Sequence, residues 1–499
     1  MRTHRTIEQI NEKIKKGEAT VVTAEEMTEI VKSRGVEVAA RDVDVVTTGT
    51  FGAMCSSGVF LNFGHSDPPI KMEKVTLNGV EAYHGSAAVD AYLGATKMHP
   101  EKRFEYGGGH VIEDLVARRE VELIATGYGT DCYPRKSVRT TITIDDLNQA
   151  ILCNPRNAYQ KYNAATNGRD ELVYTYMGKL LPNYGNATFS GSGELNPLTN
   201  DPDYETIGIG TKIFLGGGVG YVTGPGTQHD PTNRFGTLMV QGDLKKMNQK
   251  FLRGGTFTNY GTTLYVGLGV PIPILNEGLA KKTGISDEEI KTNLLDYGVP
   301  RRSRPIIKET DYAELKSGKL TLKDGTVPVK SLSSLKIARE VASTLKRWIE
   351  EGKFLLTSPQ ERLPVEGSLK PMKIIRETLF AQNIMVPAIT CKPEEEIETV
   401  ARRIVEENVN HVVVVSPSGT LSGIVTSFDI TRAVAMKESM LSNIMTHQVV
   451  TAPPEEPVES CARKMKKHNI SALPVIDAQR NILGIVTSER ISRLYGEYQ

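Results

Sequence analysis

Two cysteines share one local setting. In Val45-Val46-Thr47-Thr48-Gly49-Thr50-Phe51-Gly52-Ala53-Met54-Cys55 an apolar strand runs into a Gly/Thr turn that ends on a thiol, and Leu123-Ile124-Ala125-Thr126-Gly127-Tyr128-Gly129-Thr130-Asp131-Cys132 repeats that order. Strand ends are where a rigid scaffold presents reactive groups. Glycines let backbone N–H groups approach an anion or a developing oxyanion. Arg135 and Lys136 follow Cys132 closely enough to favour its nucleophilic thiolate, whereas Asp131 opposes them if it faces the sulfur. Two buried cysteines beside structural loops fit the same spacing. Cys153 closes the apolar run Ala150-Ile151-Leu152, read as helical, and is expected to be a packing residue. His65, in Gly64-His65-Ser66-Asp67, is the best-placed general acid or base. The histidines show no metal-ligand spacing, and no cysteine pair has CxxC spacing, so no metal site is expected.

The elements that must hold these groups are legible in part. Thr23 and Glu26 are spaced as a capping box, which predicts a helix over 23–33 ahead of a strand at 43–47. A second pair is predicted as a helix at 109–119 and a strand at 121–126. Residues 205–272 carry glycine runs between short apolar segments, the pattern of a turn-rich antiparallel sheet. Ser190-Gly191-Ser192-Gly193 and Gly216-Gly217-Gly218-Val219-Gly220 have the glycine of a phosphate cradle without its strand–loop–helix context. A stripe of Leu335, Ala338, Val341, Ala342, Leu345, Trp348 and Ile349 marks a helix capped by Ser333 or Ser334. No eightfold strand–helix repeat argues for a TIM barrel. With 499 residues, 39% hydrophobic and 24% charged, the chain needs two or three cores. Its 60 basic and 59 acidic side chains give a net charge of +1, which favours neither nucleic acid nor an anionic membrane. Without a long apolar run or a signal-type start, a cytoplasmic location is expected.

The C-terminal third is an internal repeat. Asn383-Ile384-Met385 recurs as Asn443-Ile444-Met445, and Gly423-Ile424-Val425-Thr426-Ser427 as Gly484-Ile485-Val486-Thr487-Ser488. Each copy reads helix, strand, strand, helix. This β-α-β-β-α unit resembles the CBS domain, in tandem at residues 378–438 and 439–499, behind a larger domain at 1–365. In CBS pairs that hold adenosine nucleotides, a Thr or Ser followed three residues on by Asp contacts phosphate and ribose. The first copy has Thr426 and Asp429; the second has Thr487 but Arg490 at the acidic position, so one cleft of the family type is expected. The ligand implied is adenosyl, S-adenosylmethionine or AMP, and a homodimer or larger assembly through the module. A ligand-free dimerisation module is the plain alternative. Cys461 falls on the apolar face of a helix with Val458, Ala462 and Met465, and it and Cys391 are expected to be packing residues.

TTGTFGAMCSSG near the start, then GYGTDCYPRK, then FLGGGVGYVTGPGTQH, resemble the homocysteine-biosynthesis (HcyBio) family over the whole chain. The fold expected is a mixed α/β catalytic domain with a Gly-rich β section plus the C-terminal tandem CBS module. The resemblance implies sulfur insertion into L-aspartate 4-semialdehyde from sulfide, giving L-homocysteine, with electrons from a separate ferredoxin-like iron–sulfur protein and no tightly bound cofactor. It assigns Cys132 as the persulfide carrier, Cys55 as the supporting thiol, and Arg135, Lys136 and His65 as substrate contacts. Two other readings stay open: an iron–sulfur site built from Cys55, Cys132 and Cys153, and a non-catalytic sensor whose ligand lies in the CBS cleft.

Overall fold

A computed structural model describes residues 4–85, 87–157, 160–323, 325–367, 369–370, 372 and 379–497. The chain divides into two units, Met1–Lys370 and Pro371–Gln499.

The first unit is built on a 13-stranded antiparallel sheet. From one edge its strands run Ser137–Ile142, Val121–Thr126, Lys74–Leu77, Val80–His84, Asp90–Gly94, Gly58–Asn62, Gln149–Asn157, Leu238–Asp243, Gly218–Pro225, Lys212–Leu215, Gly261–Gly269 and Leu252–Phe257, with Thr50–Ala53 also paired to Gly261–Gly269. A three-stranded sheet joins Val21–Thr23, Val45–Thr47 and Pro271–Pro273. A six-stranded sheet joins Ile306–Asp311, Lys291–Asp296, Ala164–Thr166, Ala187–Phe189, Gly325–Ser331 and Lys319–Leu322. Burial alternates along Val121–Thr126, the signature of a strand with one wet face, while Gly261–Gly269 is buried almost throughout because it is covered on both. The Gly-rich section is antiparallel, as its turns predict.

Cys153 departs from the sequence reading. It lies on Gln149–Asn157, a strand paired on both sides, to Gly58–Asn62 and to Leu238–Asp243. A central strand shows a continuous apolar run, and periodicity cannot tell that from a buried helical turn.

Two capped helices frame the Cys55 segment. Thr23 and Glu26 close a capping box on Ala24–Arg34. Ser334 accepts from the Ile337 N–H to start Leu335–Glu350, which buries Ala338, Val341, Ala342, Leu345 and Ile349. Truncating one of these to Ala costs about 2–5 kcal/mol for a leucine-sized side chain. That helix lies so close to Gly49 that a Cβ there would stand 2.2 Å from the Ala338 carbonyl oxygen.

In the second unit each repeat pairs two strands antiparallel, His411–Val415 with Leu421–Thr426 and Ala472–Ile476 with Ile482–Thr487. Helices Ile397–Glu406, Ser427–Met436, Val458–His468 and Ser488–Glu497 complete the units. Cys391 and Cys461 are buried in the two repeat cores, and burial pushes their thiols up to about 12 and about 11. Both are inert packing residues.

Candidate functional site

The register of the large sheet decides which chemical groups meet. Gly58 pairs with Gly94 on one side and with Cys153 on the other. Cys55 lies in the turn that leads into Gly58, closed by the Ser57 N–H donating to the Met54 carbonyl at 2.9 Å, so Cys55 and Cys153 occupy the same end of the sheet. Following the pairing outward, Tyr92 meets Tyr83, Thr76 meets Glu81, and Ile124 meets Thr76. The strand Val121–Thr126 ends at the level of Phe60, and the chain runs on towards the Asn62 end to form the loop that carries Cys132. Four strand spacings, roughly 19 Å, separate the two chain paths even before the difference in height. A disulfide needs Cα atoms within about 7 Å. Within one chain Cys55 and Cys132 do not meet, and neither do the three cysteines of the iron–sulfur arrangement. Among the described residues no group of three His, Cys, Asp or Glu side chains is placed to hold a metal ion.

At the Cys132 end two loops hold each other. The Arg135 guanidinium donates to the carbonyl oxygens of Asp67 and Pro68, the latter at 3.0 Å, and the Arg135 N–H donates to Pro69. Through these bonds Arg135 braces the 65–70 loop. The His65 ring stacks on Tyr133 at 5.8 Å, and the Lys136 side chain lies across Gly129. The Cys132 sulfur is exposed, 3.7 Å from the Thr130 hydroxyl.

At the Cys55 end the large sheet faces the six-stranded one across a cavity of about 260 Å³. Ala53, Cys55, Phe257 and Tyr260 line it from one side, Tyr162, Tyr176, Met177, Ser190 and Leu332 from the other, and Gln228 from the 225–238 loop. None of these described residues carries a formal charge. The Thr263 hydroxyl donates to the Cys55 sulfur at 3.3 Å and fixes its direction. Tyr265, stacked on Phe51 at 5.8 Å, is held above its usual range first by burial and then by the neighbouring Cys55. Cys153 is half-buried, and burial pushes its thiol up, which keeps it protonated and unreactive.

The glycines of the Cys55 motif have packing work. A Cβ at Gly52 would meet the Ser333 hydroxyl at 2.9 Å, and the Gly49 N–H donates to the Leu195 carbonyl at 2.8 Å. These glycines seat the Cys55 strand beneath the Leu335–Glu350 helix. Ser190 and Gly191 belong to the same seat, since the Gly191 N–H donates to the Ser333 hydroxyl at 3.0 Å. Gly216 and Gly217 turn the hairpin between Lys212–Leu215 and Gly218–Pro225 and form no cradle. The pocket tyrosines had no signal in the sequence, because Tyr260 lies more than 80 residues from Tyr162 and Tyr176 and none of them has a motif.

The CBS unit has a cleft of about 650 Å³ between its repeats. Thr426, His411, Ser471, Ser488, Lys466 and Gln448 supply its polar lining, and the His411 ring bonds the Ser471 hydroxyl at 2.8 Å across the pseudo-symmetric halves. Thr426 faces the cleft as expected. Asp429 instead accepts from both the Thr426 hydroxyl (2.7 Å) and its N–H (2.9 Å), the capping box that starts Ser427–Met436. The Thr487 hydroxyl accepts from the Arg490 N–H at 3.2 Å, and its neighbour Ser488 lines the cleft in its place.

Fold and sites together define a pocketed-thiol domain followed by a CBS pair. Residues 19–356 match the model of the family described as homocysteine biosynthesis enzyme, sulfur-incorporation, and 381–436 and 441–497 match the CBS domain. The chain belongs to this homocysteine biosynthesis family, in the form that carries a CBS pair. It is similar to the L-aspartate semialdehyde sulfurtransferase of Methanocaldococcus jannaschii, 57% identical over 99% of both chains, and to that of Methanosarcina acetivorans, 54% identical over 98% of both. Its CBS unit is similar to a crystallised CBS domain pair in complex with 5-methylthioadenosine and S-adenosyl-L-methionine, 41% identical, with a TM-score of 0.24, covering 25% of this chain and all of the other. No helix among the described residues is long and apolar enough to cross a membrane.

Proposed function

We propose that this protein transfers sulfur to L-aspartate 4-semialdehyde to form L-homocysteine, with Cys55 as the sulfur carrier. The observation that carries the reading is the pocket. Cys55 is the one cysteine among its described lining residues, and about 260 Å³ suits a small metabolite such as the substrate named for the two full-length relatives.

A persulfide on Cys55 presents its outer sulfur to the aldehyde carbon. As the C–S bond forms, the carbonyl oxygen takes the π electrons and must receive a proton. From the persulfide, the route to product takes four electrons and four protons. Two electrons cleave the S–S bond and return the Cys55 thiol; two put hydrogen in place of oxygen at carbon, with release of water. A small ferredoxin-like iron–sulfur protein supplies the electrons. Cys132, exposed on its braced hairpin, is the supporting thiol that meets external sulfur or reductant. The roles of the two thiols are thus exchanged relative to the sequence expectation, because Cys55 lines a cavity.

The CBS pair serves as the sensor. Its cleft has room for an adenosyl compound, S-adenosylmethionine or AMP, with Thr426 and Ser488 at two helix starts as hydroxyl donors, and the module joins copies of the chain into a dimer or larger. Anaerobic treatment with polysulfide, whose zero-valent sulfur a thiolate can take up with release of the shortened chain, followed by peptide mass spectrometry tests the catalytic reading: one added sulfur is expected on Cys55, and its appearance on Cys132 alone would overturn the assignment. Calorimetry with a panel of adenosyl compounds tests the sensor; no heat with any of them removes it.

A further inference from the structure

We propose that Tyr176 is the proton donor to the carbonyl oxygen in the Cys55 pocket, backed by Tyr297 and Arg304 as positioning residues. The inference rests on the reading of Cys55 as sulfur carrier and adds the acid that this chemistry lacks.

The pocket has no charged side chain among its described lining to meet the alkoxide that sulfur addition creates. In such surroundings a preorganised hydroxyl donor is the efficient solution. Tyr176 is presented at the two-residue tip between Val173–Thr175 and Gly178–Leu180. That tip is rigid. The Met177 N–H donates to the Thr175 hydroxyl at 2.9 Å, and the Met177 carbonyl accepts from Thr188 at 2.7 Å.

The Tyr176 hydroxyl meets the Tyr297 hydroxyl at 2.8 Å, with the rings edge to face at 5.8 Å. Tyr297 is buried and its N–H donates to the Thr166 carbonyl at 2.8 Å, so it cannot swing away. The Arg304 guanidinium stands over the Tyr297 ring at 4.1 Å, and its Nε is buried with no hydrogen-bond partner. A buried Nε–H without an acceptor is unusual, since buried donors are normally paired. Its placement polarises the ring and makes the Tyr297 hydroxyl a stronger donor. Burial, and next the Tyr176 contact, hold the Tyr297 phenol well above its ordinary range, against the Arg304 cation, so it stays protonated and keeps its hydrogen bond to Tyr176.

The step balances simply. The sulfur lone pair forms the C–S bond, the π pair moves to oxygen, and Tyr176 gives that oxygen its proton. The resulting phenolate keeps the Tyr297 hydrogen bond and the Arg304 cation nearby, and takes a proton from water when product leaves.

The test measures homocysteine formation and Cys55 persulfide loading in full-length wild type, Tyr176→Phe, Tyr297→Phe, Arg304→Gln, Arg304→Lys and Cys55→Ala. Tyr176→Phe is expected to lower kcat about 10²-fold with KM little changed and loading intact. Tyr297→Phe is expected to lower kcat about tenfold alone but to add nothing in the Tyr176→Phe background, because it acts through Tyr176. Arg304→Gln should resemble Tyr297→Phe, and Arg304→Lys should recover most of the loss. Wild-type kcat in Tyr176→Phe, with Cys55→Ala inactive, overturns this inference alone. Full activity in Cys55→Ala overturns the underlying reading of the site instead.

Discussion

The two ends of the large sheet began as near copies. Each has an apolar strand, a Gly/Thr turn and a cysteine, yet one became a walled pocket and the other an exposed hairpin. At the Cys55 end the turn is pinned beneath the Leu335–Glu350 helix and faces Tyr162 and Ser190, which flank strands of the six-stranded sheet, and Tyr176 from the neighbouring hairpin. At the Cys132 end the partners are the 65–70 loop and solvent. A local motif supplies a thiol; what lies opposite decides whether the thiol has a site.

The widest expected gap between the ends is catalytic. Cys55→Ala should abolish homocysteine formation, a loss on the order of 10³-fold or more, whereas Cys132→Ala should reduce it no more than about tenfold when polysulfide and reductant are in excess. Equal losses in a steady-state assay would break the contrast. The glycines should also part company. Gly49→Ala forces a Cβ against helix backbone and is expected to cost about 2–4 kcal/mol, read as a lowered midpoint in chemical denaturation. Gly129→Ala meets the flexible Lys136 chain at 2.9 Å and the Pro134 carbonyl oxygen at 3.3 Å, at a positive φ of 79°, and should cost about 1–2 kcal/mol.

Alkylation kinetics sharpen the contrast further. Iodoacetamide should modify Cys132 about tenfold faster than Cys55, and a pocket ligand should protect Cys55 alone, as followed by peptide mass spectrometry. The smallest effect concerns Glu194, one residue before the Leu195 that holds Gly49. Burial, and then the Asp287 carboxylate, push Glu194 up from 4.5 to about 7. The folded state thus binds this proton more tightly than the unfolded chain. Its stabilisation is complete below pH 4.5 and is lost as pH rises through about 7. Glu194→Gln should flatten that decline in denaturation curves taken between pH 5 and 8.

Much was legible in the sequence. The CBS strands His411–Val415 and Ala472–Ile476 stand where the repeat put them, as does the Thr23 capping box. Short-range chemistry governs these features: a cap reaches three residues, and a repeat announces itself twice. The helical reading of Cys153 failed because a doubly covered strand and a helical turn share one apolar signature.

The sequence by itself determined the domain order, the CBS pair, the antiparallel Gly-rich section and the two strand–turn–cysteine motifs. Only the tertiary structure decided that Cys55 and Cys132 lie at opposite ends of one sheet, that Arg135 braces a loop, that Asp429 caps a helix, and that Tyr176 stands across from Cys55. Those outcomes depend on strand register and on packing between segments far apart in the chain. Hydrogen-bonded pairing fixes that register through the whole sheet at once, so no single window of residues contains it.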